Sequence, residues 1–180
     1  MANLEPLIQS IPVAPLKLAS LEGCRTLADQ VNNYLVSFRH ESPTNVGQAD
    51  SLQGYCADSY LLECECPRFG SGEGKGVLKE SVRGCDLFIM VDVTNYSLTY
   101  RVNGYENHMS PDNHYQDLKR IISAADGKAR RINVIMPFLY EGRQHKRSKR
   151  ESLDCALMLQ ELVDMGVSNI CLLYTSDAAD

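Results

Sequence analysis

Asp86-Leu-Phe-Ile-Met-Val-Asp-Val93 is an unbroken apolar run of strand length. Alternation would mark a strand with one wet face, whereas a continuous run fits a strand covered on both faces, hence a central, parallel one. Downstream, Ser110-Pro111-Asp112 supplies an N-cap, a proline at the first helical position and an acid in the first turn. Tyr115, Leu118, Ile121, Ile122 and Ala125 then recur at helical period until Asp126-Gly127 ends the helix. Ile132 to Met136 predicts the next buried strand, closed by Pro137. Ser152 opens another helix whose Leu153, Ala156, Leu157, Val163 and Met165 are expected to face inward before Gly166 stops it, and Ser168 to Leu173 begins one more strand.

Upstream, Tyr60 to Cys66 predicts a short strand, and the polar stretch from His40 to Ala57, with Pro43, Gly47 and Gly54, predicts a loop. Ser20 offers an N-cap to a helix whose buried stripe is expected at Leu27, Val31, Leu35 and Phe38. Residues 1–19, with Pro6, Pro12 and Pro15, are expected to form an extended arm. Strand, helix, strand, helix, strand, built on apolar runs, is the pattern of right-handed crossovers in an α/β, doubly wound, mainly parallel sheet. Ligands in such sheets lie beyond the carboxyl ends of the strands, so chemistry is expected after Met136.

A chain of 180 residues that is 44% hydrophobic and 23% charged fits one globular domain. It is long enough to bury a core without disulfides or a structural metal. The net charge of -5 argues against a surface that embraces nucleic acid or anionic lipid as a whole, while leaving room for a local basic patch. Seven cysteines, an odd number at irregular spacing, point to a reducing, cytoplasmic compartment. Cys64 and Cys66 read as two strand residues on one face rather than as metal ligands. No apolar run approaches the ~20 residues that span a bilayer, which points away from a membrane.

Two stretches carry chemistry. Phe69-Gly-Ser-Gly-Glu-Gly-Lys-Gly76 is the most glycine-dense segment, able either to aim backbone amides at an anion or simply to turn. It is not a phosphate loop of the Walker type, since Phe69 and Gly76 stand where that motif needs Gly and Ser or Thr. Arg143, Lys146, Arg147, Lys149 and Arg150 crowd into one loop after a buried strand of an acidic chain. Nucleotide phosphates are the economical reading, because guanidinium forks pair with phosphate oxygens and lysines neutralise them. A solvated loop or a nucleic-acid patch stays open on charge alone, although no aromatic after Tyr140 is interleaved to stack on bases. His40, His108, His114 and His145 show no paired spacing, and each reads as a surface or capping residue. No G-x-S-x-G elbow is present. Composition and spacing end at a phosphate-binding α/β domain.

Pro137-Phe-Leu-Tyr-Glu-Gly-Arg-Gln-His-Lys-Arg147 resembles the segment P-Y-x-x-Y-x-R-Q-D, followed by two basic residues, of the ribose-phosphate pyrophosphokinases. Lys79-Glu-Ser-Val-Arg-Gly-Cys-Asp86 is similar to the family's Q-E-S-V-R-G-x-D, and Phe69-Gly-Ser-Gly-Glu73 to its F-x-D-G-E, so that three motifs fall in family order. The resemblance spans roughly residues 20–170 and implies a phosphoribosyltransferase-like fold. It also implies transfer of the diphosphoryl group of ATP to ribose 5-phosphate with magnesium (Mg2+), in a homo-oligomer. On the matching positions it implies ATP contacts from Arg143 and Gln144, with Glu73 and the Phe69 ring holding adenine and Ser71 beside them in the same ATP-binding turn, which reaches over from a neighbouring subunit, and further phosphate contacts from Lys146 and Arg147. Catalysis there would come from positioning and charge neutralisation rather than a covalent protein group.

Ser71 stands where the family has Asp, and so does His145. The family's later D-x-H, whose His binds magnesium, its ribose-phosphate loop and its flexible catalytic loop have no counterpart here. Cys171-Leu-Leu-Tyr-Thr-Ser-Asp-Ala-Ala-Asp180 resembles adapter read-through, with Ser176 about where the metal His should be. The expectation is therefore a domain over 20–170 that is incomplete at the C-terminus, a non-native tail over 171–180, and a chain that does not turn over by itself. An inert regulatory homologue and a phosphate or nucleic-acid binding module are the rival readings.

Overall fold

The computed structural model describes residues 12–41 and 54–174. The apolar run quoted above forms β5 (Asp86–Met90), which lies between β1 (Leu16–Ser20) and β8 (Arg131–Phe138), parallel to both. Leu87 and Ile89 are fully buried on one face and Met90 on the other. Continuous hydrophobicity here therefore means two covered faces. Its leading acid, Asp86, is buried as well, its carboxylate held by the Arg131 guanidinium and by the Asn133 amide at 2.7 Å.

The main sheet has five strands in the order β2-β1-β5-β8-β9, with β2 (Leu61–Leu62) and β9 (Val167–Tyr174) at its edges and every pairing parallel. One face is covered by α1 (Arg25–Glu41) and the 3-10 turn before it (Glu22–Cys24), where Ala28 and Cys24 meet Leu18 and Met90. The other is covered by α2 (Pro111–Ala125) and α3 (Asp154–Asp164), whose Leu118, Ile121, Ile122, Met158 and Leu162 pack on Leu87, Ile89, Val134 and Met136. This is the expected doubly wound α/β architecture. Each fully buried aliphatic of this layer contributes about 1.5–3 kcal/mol. Beside the sheet lie two antiparallel ribbons, β3 (Cys64–Glu65) with β4 (Val77–Leu78), and β6 (Thr99–Val102) with β7 (Tyr105–His108).

Helix α2 begins as its sequence predicts: the Ser110 hydroxyl accepts from the Asn113 amide, Pro111 takes the first turn, and Asp126 closes the helix in the left-handed region. Other boundaries differ. Leu16 to Ser20, which takes in the last four residues of the expected arm, is a strand, because the Pro15 carbonyl already accepts from the Asp86 amide; residues 1–11 of that arm lie outside the described residues. Ser20 ends this strand instead of capping α1. The buried side of α1 is Ala28 and Asn32, with Leu27, Val31, Leu35 and Phe38 only half-buried. Small residues let this helix approach closely, and Asn32 accepts from the Tyr60 amide at 2.8 Å. Helix α3 starts at Asp154 and buries Cys155, Met158 and Leu162, so Leu157 and Val163, expected inside, are each 59% exposed. Strand β8 runs through Pro137, and β9 includes Cys171 to Tyr174 of the expected tail, with 175–180 outside the described residues. Among the described residues no helix is long and apolar enough to cross a membrane.

Candidate functional site

In this strand order the winding reverses between β1 and β5, the place where parallel sheets open a crevice at their carboxyl edge. A cavity of about 500 Å3 lies there, lined by Glu22 and Arg25 beyond β1 and by Ser97 and Tyr100 beyond β5. Its charged lining is Glu22, Glu65 and Asp117 against Arg25 and Arg68, three acids to two guanidiniums, and so a poor seat for phosphate. Arg25 pairs with Glu22 at 2.8 Å, and Arg68 grips Asp117 with both prongs at 2.6 and 2.8 Å. Cys64 and Cys66 face the same cavity, their thiols donating to the carbonyls of Ser20 and Asp117. Burial pushes them up to about 11 and about 12, so both stay protonated at neutral pH and neither is poised as a nucleophile or ligand.

The cations gather one strand further along the edge, after β8. Glu141 in the left-handed region and the bond from the Gly142 amide to the Leu139 carbonyl fold the chain back as it leaves the sheet. Tyr140 anchors this turn by stacking on Tyr115 of α2 at 4.6 Å and donating to Asp112 at 2.6 Å. Burial first, then Asp154 and Asp112, raise the Glu141 carboxyl above its ordinary range. Beyond it Arg143, His145, Lys146, Arg147, Lys149 and Arg150 are all exposed, and no described acid forms an ion pair with any of the five Lys and Arg cations. Gln144 turns its amide inward to the Ser152 carbonyl at 2.8 Å and so braces the loop, leaving its side-chain oxygen as the group able to reach a ligand. His145 bonds the Gly142 carbonyl through Nδ1.

The glycine-rich stretch is the tip of the β3–β4 ribbon. The Phe69 amide donates to the Glu73 carbonyl at 2.7 Å and the Gly72 amide to the Phe69 carbonyl, closing a tight turn that leaves Phe69 52% exposed. Ser71, in place of the expected acid, donates to the Glu73 carboxylate at 2.8 Å and so orients it. Gly72 needs its left-handed φ of 93°. Gly74 and Gly76 lie directly against Arg68 and Arg120, where a Cβ would collide. Two of the glycines thus serve packing on α2 rather than an anion cradle.

The two sets of expected ATP contacts line different cavities. Ser71 and Glu73 border a cleft of about 710 Å3 shared with the β6–β7 ribbon, whereas Arg143 borders a cavity of about 150 Å3 with Thr94, Pro111 and Tyr140. The apolar pattern does not predict this ribbon, whose strands are little buried. Its signal was Asn103-Gly104 between two runs of strand-forming residues, and both take the positive φ that such a hairpin turn requires. Among the described residues no three His, Cys, Asp or Glu side chains converge as metal ligands.

Comparison with known proteins agrees with this architecture. The model of the N-terminal domain of ribose phosphate pyrophosphokinase matches residues 16–166, from β1 to the end of the turn before β9. The ribose-phosphate pyrophosphokinases of Corynebacterium ammoniagenes and Bacillus cereus are each 28% identical over 160 residues, 88% of this chain and 39% of theirs. The crystal structure of phosphoribosylpyrophosphate synthetase from Mycobacterium smegmatis is similar with a TM-score of 0.59 at 24% identity, over 87% of this chain and 41% of that one. The chain thus spans about 39% of the length of the curated relatives it matches.

Proposed function

The chain belongs to the ribose-phosphate pyrophosphokinase family, as its N-terminal domain, and on that footing we propose that it supplies the ATP-gripping elements of a diphosphate transfer from ATP to ribose 5-phosphate that makes phosphoribosyl pyrophosphate. Arg143, with Lys146 and Arg147, neutralises the phosphates, and the oxygen of Gln144 meets the base or ribose. Phe69, Ser71 and Glu73 hold adenine from a second copy of the chain, which makes the working protein a homo-oligomer. Its compartment is the cytoplasm, where seven free thiols persist.

One observation carries the reading: five exposed cations without acidic partners stand on a braced loop at the carboxyl edge of a chain whose net charge is -5. Such a loop neutralises a polyphosphate by position alone, and phosphoryl transfer needs positioning and charge more than a covalent group. Magnesium would share the phosphate charge in the assembled enzyme. In this reading the residues of the chain contribute ATP binding to that reaction.

Calorimetric titration of ATP into the chain tests this. Binding should weaken steeply with salt, inorganic tripolyphosphate should compete, and Arg143→Ala with Arg147→Ala should lower the affinity by about tenfold or more, as expected for losing two charge-assisted contacts. An unchanged affinity in that variant would overturn the assignment, and RNA binding indifferent to ATP would move it to a nucleic-acid module.

A further inference from the structure

The β6–β7 ribbon lies outside all three motifs that carry the family resemblance, yet it is built firmly against one of them. Tyr100 of β6 lies over the Arg68 guanidinium at 5.3 Å, and Arg68 and Arg120 share the buried carboxylate of Asp117 on α2. At the tip, a Cβ on Gly72 would stand only 3.2 Å from the Val102 side chain. Glycine-rich turn, ribbon and α2 therefore form one body, and the cleft of about 710 Å3 between turn and ribbon is part of that body.

Its two walls have complementary chemistry. One presents the Glu73 carboxylate, steadied through one oxygen by Ser71, with the other oxygen left to accept from an exocyclic amine. The opposite wall presents Tyr105, 77% exposed, and Asn107, whose amide is tied to the Tyr105 carbonyl at 3.2 Å and whose oxygen stays available. Arg120 borders the cleft as well, its guanidinium held by Asp117, so that Glu73 and Arg120 are the two charged groups of the lining. A flat ring with polar edges suits these walls. We propose that the β6–β7 ribbon forms the second wall of a base subsite, with Tyr105 stacking on adenine and Asn107 reading its edge opposite Glu73. The assignment rests on Ser71 and Glu73 being ATP contacts, and it adds specificity residues that the motifs do not contain.

Affinities of ATP and of inorganic tripolyphosphate, measured side by side on the chain and on a Tyr105→Ala, Asn107→Ala variant, separate the base from the phosphates. The chain should bind ATP more tightly than tripolyphosphate by about tenfold, the scale of one stacked base. The variant should lose that preference while tripolyphosphate binding stays as it was. Both side chains border open solvent, and an unchanged urea midpoint would show that the variant is folded. A preference that survives in the variant, or no preference in the parent, overturns the base subsite and leaves the phosphate loop standing. Failure of the parent to bind either ligand overturns the proposed function, and the subsite with it.

Discussion

Gly70, Gly72, Gly74 and Gly76 look alike in sequence and do different things. Gly72 is bound to a left-handed backbone, Gly74 and Gly76 to close approach, and Gly70 to neither, with nothing within 4 Å of the place its Cβ would take. At Gly76 the obstacle is the Arg120 carbonyl, a backbone group of α2 that cannot swing aside as the guanidinium facing Gly74 can. Gly76→Ala should therefore destabilise the chain by about 1–3 kcal/mol, the usual cost of forcing a methyl group into packed structure. Gly70→Ala should stay within about 0.5 kcal/mol. Urea unfolding of the two variants reads the difference directly. Equal midpoints would mean that the stretch is not pressed against the helix and would return it to the phosphate-cradle reading.

At the scale of elements, strand β3 carries a pH dependence. Cys64 and Cys66 border the crevice with folded values of about 11 and about 12, raised chiefly by burial. An unfolded thiol ionises near pH ~8.5. Below that value both states hold their protons and the thiols leave stability untouched. Above it only the unfolded chain releases protons, so stability falls as pH rises towards the folded values. Urea midpoints should thus decline between about pH 8.5 and 10.5, and a Cys64→Ala, Cys66→Ala variant should decline less steeply; equal slopes would show that the buried thiols are not the cause. Which elements are legible in the sequence follows from how many constraints each one obeys. Strand β5, covered on both faces, and α2, with Ser110, Pro111 and an apolar period in agreement, can be read directly. Helices α1 and α3 are legible as helices but not in their facing, because Ala28 and Cys155 sit nearest the sheet while larger neighbours such as Leu157 stay outside. The β6–β7 ribbon escapes an apolar search because its burial is slight. The basic loop announces itself by charge, whereas the contact of the glycine-rich turn with that ribbon is tertiary and leaves no local trace beyond Asn103-Gly104.

For the whole molecule, the decisive feature is the separation of the two proposed half-sites. Arg143 stands at the carboxyl end of β8, while Glu73 stands at the tip of the β3–β4 ribbon, packed against α2 and bordering a cavity of its own. On the proposed function one chain presents each half without closing it, and a symmetric pair would bring the turn of each copy to the loop of the other. Such an arrangement makes the two halves genetically separable. Chains carrying Arg143→Ala and chains carrying Glu73→Ala should each bind ATP weakly, since every site in either assembly lacks one contact. Mixed, they form heterodimers in which one site collects both damaged residues and the other collects none. Random pairing makes half the dimers mixed, so about a quarter of all sites should recover the parent affinity in a titration of the mixture. A mixture as weak as its components would show that the halves do not meet between copies, and the shared site would have to be abandoned even if each residue still contributed to binding.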